Sequence, residues 1–123
     1  MISCVVVDDD LLITRVFSDI LSLMGLDVVA TGHDGNDAVT LYRQYKPDIL
    51  FVDMHMPKYD GLYAIKKIKE FDPDSKIVAV TGDYFYETQQ KLKELCVTAI
   101  IYKPFEQSQI KRILLEEYKI KTQ

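Results

Sequence analysis

The sequence predicts a doubly wound α/β domain built on a five-stranded parallel sheet of strand order 2-1-3-4-5, flavodoxin-like in layout, with helices on both faces. Three observations predict it. Short β-branched runs alternate strictly with segments of helical period, five of each. The runs are apolar from end to end, the pattern of strands buried on both faces under helices. Right-handed crossovers between parallel strands then leave the doubly wound arrangement, for which 2-1-3-4-5 is a common order. A chain of 123 residues suits one such domain over 1–123, and it carries no repeat, low-complexity stretch or linker.

The elements follow in order. Residues 4–7 form the first strand. Ile13, Val16, Phe17, Ile20, Leu21 and Met24 then recur at the spacing of one helix face, and Gly25 fits as its stop. Residues 28–30 are a second, shorter strand, and His33-Asp34-Gly35 is a turn. Ala38, Leu41, Tyr42 and Tyr45 mark a second helix, closed by Pro47. Residues 49–52 are the third strand, and 57–61 a loop. Leu62, Ala64, Ile65 and Ile68 mark a third helix that stops before Pro73. Residues 77–80 are the fourth strand. The helix over 87–95 is weak, with Leu92 and Leu95 as its apolar anchors. Residues 99–102 are the fifth strand, and Ile110, Ile113, Leu114 and Tyr118 mark the last helix.

Composition narrows the function. Lys and Arg number 15 against 19 Asp and Glu, a formal net charge of −4. This mildly acidic balance argues against direct binding of nucleic acid, which needs clustered positive charge. The apolar runs fall far short of the ~20 residues that span a bilayer. The apolar start from Ile2 to Val7 has no basic flank and runs into Asp8-Asp9-Asp10, unlike a signal peptide. No membrane partner is expected, and the expected location is cytoplasmic. Cys4 and Cys96 have apolar neighbours and no metal-ligand spacing, so both read as reduced core thiols.

In a sheet of this order, ligands bind beyond the carboxyl ends of the strands, at the switch point between the first and third. The first strand is followed by Asp8-Asp9-Asp10, the third by Asp53, the fourth by Thr81-Gly82 and the fifth by Lys103-Pro104. A lone Asp in such a place is usually a cap or a turn residue. Together these residues set carboxylates, a hydroxyl and an ammonium along one sheet edge. Carboxylates gathered so closely raise one another's pKa. A hard divalent cation relieves this, and oxygen-only ligands with room for water suit Mg²⁺. Cys and His are not spaced for zinc. A carboxylate so placed can attack phosphorus and form an acyl phosphate, while the cations and the hydroxyl neutralise the phosphoryl oxygens.

At these residues the sequence closely resembles the receiver domain of two-component response regulators. The resemblance covers nearly the whole chain, from Val5 to about Tyr118. It is carried by Asp8-Asp9, by the segment from Asp53-Met54-His55-Met56-Pro57 to Gly61, by Thr81-Gly82, and by Lys103-Pro104-Phe105. It implies that Asp53 accepts a phosphoryl group from the phosphohistidine of a histidine kinase or phosphotransfer protein. It further implies that Asp9 and Asp53 hold Mg²⁺ by their side chains, Asp8 acts largely through water, and the backbone carbonyl of His55 completes the protein ligands. Lys103 pairs with Asp53 and later with the phosphoryl group, and Thr81 moves to hydrogen-bond it. The resemblance, with the geometry of a sharp turn after the last strand, also implies a cis Lys103–Pro104 bond. Two departures stand out. Ile100 occupies a position where an aromatic switch residue is common, and Tyr102, on the same strand face, either substitutes for it or simply packs. Cys96-Val97 replaces a frequent Gly-Ala pair, which changes local packing.

Other residues have plainer readings. Asp10 caps the first helix. His55 presents an exposed side chain that shapes access to the phosphate, and His33 is a turn residue. Lys66-Lys67-Ile68-Lys69 reads as a solvated helix face. Tyr84-Phe85-Tyr86 reads equally as a docking patch or as aromatics packed on their own helix. The segment from Gly82 through Tyr102 is expected to respond to phosphorylation, with an output protein or domain, or a second copy in a homodimer, docking there. An aspartate-nucleophile phosphatase would want a cap domain, for which there is no room, and a phosphorylation-independent docking module would not need the full set of Asp9, Asp53, Thr81 and Lys103. The polar tail over 119–123 fits a stand-alone regulator and equally a receiver of a longer protein.

Overall fold

The computed structural model describes residues 1–119. In chain order it contains β1 (Ser3–Val7), α1 (Leu11–Leu23), β2 (Asp27–Gly32), α2 (Gly35–Tyr45), β3 (Ile49–Asp53), α3 (Gly61–Phe71), β4 (Ile77–Thr81), α4 (Tyr86–Glu94), β5 (Ala99–Tyr102) and α5 (Gln107–Tyr118). Every pairing is parallel and the order is β2-β1-β3-β4-β5, as the alternation predicts.

Successive side chains of a strand point to opposite faces, so each central strand feeds two cores. Cys4, Val6, Phe51, Val78, Val80 and Ile101 pack with Phe17 and Leu21 of α1 and with Ile110, Ile113 and Leu114 of α5. Val5, Val7, Leu50, Val52, Ile77 and Ala79 pack with Ala38 and Tyr42 of α2, with Ala64, Ile65 and Ile68 of α3, and with Leu92 of α4. The continuous apolar runs are therefore two alternating patterns superimposed. Asp10, Asp34 and Asp60 cap α1, α2 and α3, each carboxylate accepting first-turn N–H groups. Gly25 takes a φ of 94° just past α1, a conformation that favours glycine.

The structure corrects several expectations. β2 extends over six residues, because β1 offers it a ladder across an irregularity between Cys4 and Val5. The inward face of α1 is narrower than its spacing suggests: Val16 is exposed, and Thr14 is buried in its stead. Tyr45 is also exposed, at the end of α2 where Lys46 turns left-handed. Cys4 is a core thiol, pushed up to about 12 chiefly by burial, but Cys96 is exposed, because with a φ of 58° it turns the chain out of α4. Lys66 and Lys67 are solvated, whereas the Lys69 ammonium donates to the carbonyls of Pro73 at 3.3 Å and Ser75 at 2.7 Å, tethering the α3–β4 turn. The polar tail lies, from Ile120 onward, outside the described residues.

Candidate functional site

The ladder continues past the strand ends and sets the site's register. The Asp8 N–H donates to the Gly32 carbonyl at 3.1 Å, Met54 to Val80 at 3.0 Å and Lys103 to Thr81 at 2.8 Å. Asp8, Asp53, Thr81 and Lys103 are thereby brought together at the carboxyl edge of four strands. Asp8 and Asp53 are each 4% exposed and Thr81 is 1% exposed, while Asp9 faces solvent.

One carboxylate oxygen from each of Asp8, Asp9 and Asp53 lies within 4.8 Å of the others. The Lys103 ammonium sits 3.0 Å from Asp8 Oδ2 and 3.4 Å from Asp53 Oδ1. Burial, and then the Asp8 carboxylate, hold the Asp53 carboxyl above its ordinary value, against the pull of Lys103 and the His55 N–H. Burial alone lowers the Lys103 ammonium, but its contacts with Asp8 and Asp53 outweigh this and raise it. Two buried carboxylates share one ammonium, and the exposed Asp9 carboxylate lies beside them. Such an oxygen-only donor set, crowded and under-neutralised, fits a hard divalent cation.

The surrounding chain fixes this geometry. The Thr14 hydroxyl lies 3.1 Å from the carbonyl of Asp8 and 2.9 Å from that of Asp10, and the Asp10 N–H donates to Asp8 Oδ1 at 2.9 Å. A Cβ at Gly61 would press into the Asp53 carbonyl oxygen and lie 2.9 Å from Met54 Cα. Glycine there lets α3 begin against the backbone that follows Asp53. The His55 N–H points at Asp53 Oδ1 at 3.5 Å, and its exposed ring sits 3.7 Å from Asp83 Oδ2. Beside the acids opens a cleft of about 570 Å³ lined by His55, Gly82, Asp83, Tyr84 and Phe85.

Residues 4–115 match the response regulator receiver domain. The chain belongs to this receiver family. It is 34% identical over 107 residues to the chemotaxis protein CheY of Treponema pallidum, covering 85% of this chain and 74% of that protein. It is 32% identical over 109 residues to CheY of Thermotoga maritima, covering 85% and 88%. It spans 50% of the probable C4-dicarboxylate response regulator DctR of Priestia megaterium, at 30% identity. The fold is that of a chain in the crystal structure of the CheX-CheY-BeF3-Mg+2 complex from Borrelia burgdorferi, with a TM-score of 0.90 at 22% identity over 95% of this chain and 89% of that one. The chain is thus a receiver domain of two-component signalling. Receiver domains bind Mg²⁺ in an acidic pocket and interact with histidine kinases and output domains.

Against the receiver motifs, Asp8, Asp9, Asp53, Thr81 and Lys103 converge, and the Lys103–Pro104 bond is cis. Asp10 is the cap of α1, His55 is exposed, and His33 sits in the turn after β2. Ile100 is half-buried and packs on the core beneath α4. Tyr102 does not stand alone: its ring stacks on Tyr84, centroids 4.6 Å apart and planes 12° apart. Sequence reasoning missed Thr14 and Asp83. Thr14 has no local signal, because its partners are backbone carbonyls. Asp83, placed before a helix whose own N-cap is Phe85, could have been found as a capping residue.

Proposed function

We propose that Asp53 is the phosphoacceptor of this receiver. The observation that carries the reading is the buried Asp53 carboxylate facing Lys103 at 3.4 Å within a cluster of three acids. The donor is a phosphohistidine on a histidine kinase or phosphotransfer protein. An Asp53 oxygen attacks phosphorus, the N–P bond breaks, the leaving imidazole takes a proton, and Asp53 becomes an acyl phosphate. Lys103 pairs with the phosphoryl oxygens and the Thr81 hydroxyl turns to donate to one of them. Slow attack of water on phosphorus breaks the O–P bond and returns the carboxylate and inorganic phosphate. Asp9 and Asp53 would hold Mg²⁺ by their side chains, with Asp8 acting largely through water and the backbone carbonyl of His55 completing the protein ligands. An ion held there would neutralise phosphoryl charge.

Residues 1–123 act as one receiver unit in the cytoplasm; among the described residues no helix is long and apolar enough to cross a membrane. The output surface is α4-β5-α5, where Tyr84, Phe85 and Tyr86 stand exposed. A downstream protein or domain, or a second copy after phosphorylation, docks there.

Incubation with acetyl phosphate and Mg²⁺ is expected to add one phosphoryl group by intact mass, and Asp53→Asn to abolish it, since an amide is not a competent nucleophile. Full labelling of that variant, or undiminished labelling with excess chelator, overturns the acceptor and metal assignments.

A further inference from the structure

The loop joining β4 to α4, residues 82–85, is tied to both residues proposed to grip the phosphoryl group. The Asp83 N–H donates to Thr81 Oγ1 at 2.9 Å. The Tyr84 hydroxyl donates to the carbonyl oxygen of Lys103 at 3.1 Å, and its ring lies flat on Tyr102. Tyr84 is 62% exposed, yet both its ring and its hydroxyl are engaged.

The same loop holds the start of α4. Asp83 Oδ1 accepts the Phe85 N–H at 2.7 Å, and Oδ2 accepts the Thr88 hydroxyl at 2.7 Å. The N-cap of α4, Phe85, has no capping side chain of its own, so Asp83 supplies the acceptor from two residues upstream. Leu92 is the one buried residue of this helix. Its first turn therefore depends on a loop that depends on Thr81 and Lys103.

We propose that Asp83 and Tyr84 form a two-point brace that reports the state of Asp53 to α4, in place of an aromatic ring at position 100. The proposal rests on Asp53 being the acceptor. When a phosphoryl group stands on Asp53, the Thr81 hydroxyl turns toward it and leaves the Asp83 N–H. Lys103 swings from Asp8 toward the new oxygens and shifts the carbonyl that holds Tyr84. Both anchors of the loop change together, the Tyr84–Tyr102 stack loosens, and α4 loses its substitute cap. Ile100 has no polar atom with which to follow either change and stays packed on the core that contains Leu92. Asp83 and Tyr84 are positioning residues, acting through Thr81 and Lys103.

Because the brace holds the unmodified state, weakening it shifts the equilibrium toward the modified one. Coupling between two sites commonly changes affinity about 5–150-fold. The wild-type chain, Tyr84→Phe, Ile100→Ala and Asp53→Asn, labelled with 3-fluorotyrosine, are titrated with beryllofluoride and Mg²⁺ and followed by fluorine NMR and amide exchange. In the wild type, the Tyr84 and Tyr102 signals move and residues 86–94 exchange faster. Tyr84→Phe keeps the ring but loses the hydroxyl; it is expected to bind beryllofluoride about fivefold tighter and to show faster exchange in α4 before any is added. Ile100→Ala keeps the wild-type response. Silent Tyr84 and Tyr102 signals beside changes elsewhere overturn the brace alone, as does wild-type affinity and exchange in Tyr84→Phe. A response that survives in Asp53→Asn, or no response in any chain, overturns the acceptor reading and the brace with it.

Discussion

Burial and the Asp8 carboxylate hold Asp53 above its ordinary value despite Lys103, so the folded state binds this proton more tightly than the unfolded one. The associated stability is fully present below the unfolded pKa and is lost as pH rises through the folded one. Where Asp53 is ionised it therefore costs stability, and Asp53→Asn is expected to raise Tm in chelator-treated protein. Added Mg²⁺ is expected to raise the wild-type Tm, because it binds the folded state, and to have little effect on the variant. A variant that melts lower than wild type in chelator contradicts this account. Two glycines near the site make a sharper contrast. Gly61→Ala drives a Cβ into the Asp53 backbone and is expected to cost about 1–3 kcal/mol, as overpacking does. At Gly82 a Cβ meets nothing within 4 Å and φ is not left-handed, so Gly82→Ala is expected to be neutral or to stabilise by about 0.4–1 kcal/mol. Urea melts of both variants decide it, and equal losses at the two positions would show that backbone contact is not the cause.

The helices divide by how they begin. Asp10, Asp34 and Asp60 cap α1, α2 and α3 with their own carboxylates, whereas the N-cap residues of α4 and α5, Phe85 and Glu106, make no side-chain cap bond and α4 relies on Asp83 upstream. Helix α4 is also short and buries Leu92 alone, so it is the helix whose local opening should cost least. Native-state amide exchange is expected to show residues 86–94 opening before those of α1 and α3. Thr81→Ala is expected to leave phosphoryl labelling largely intact while weakening the exchange response, since Thr81 carries the loop contact and is not the nucleophile. Ile100→Ala is expected to lower stability by about 2 kcal/mol through lost packing, with the response kept. Slower exchange in α4 than in α3, or a Thr81→Ala variant with a full response, would refute this ordering.

The two cores share one sheet, each central strand contributing alternate residues to both. Neither can melt while the other keeps its strands, so urea unfolding is expected to be one transition, coincident by far-ultraviolet dichroism and by tyrosine signals. Two separated midpoints would mean that the layers are independent. Strands and their order were legible in the chain because a parallel sheet buried on both faces demands unbroken apolar runs, and its connections leave few topologies. The acceptor edge was legible for the same reason: whatever follows each strand must gather at one end of the sheet. What the alternation could not convey was contact between side chains far apart in the chain. Lys103 lies nearer Asp8, 95 positions away, than the Asp53 with which its motif pairs it. Cys96 faces solvent because of a left-handed turn that no apolar neighbourhood reveals. The Tyr84–Tyr102 stack and the hydroxyl bridge to Lys103 exist because parallel pairing of β4 with β5 sets Thr81 beside Tyr102. Local patterning encodes which residues a strand buries and where it stops, but ring stacking and charge pairing depend on distances that arise only when the sheet closes.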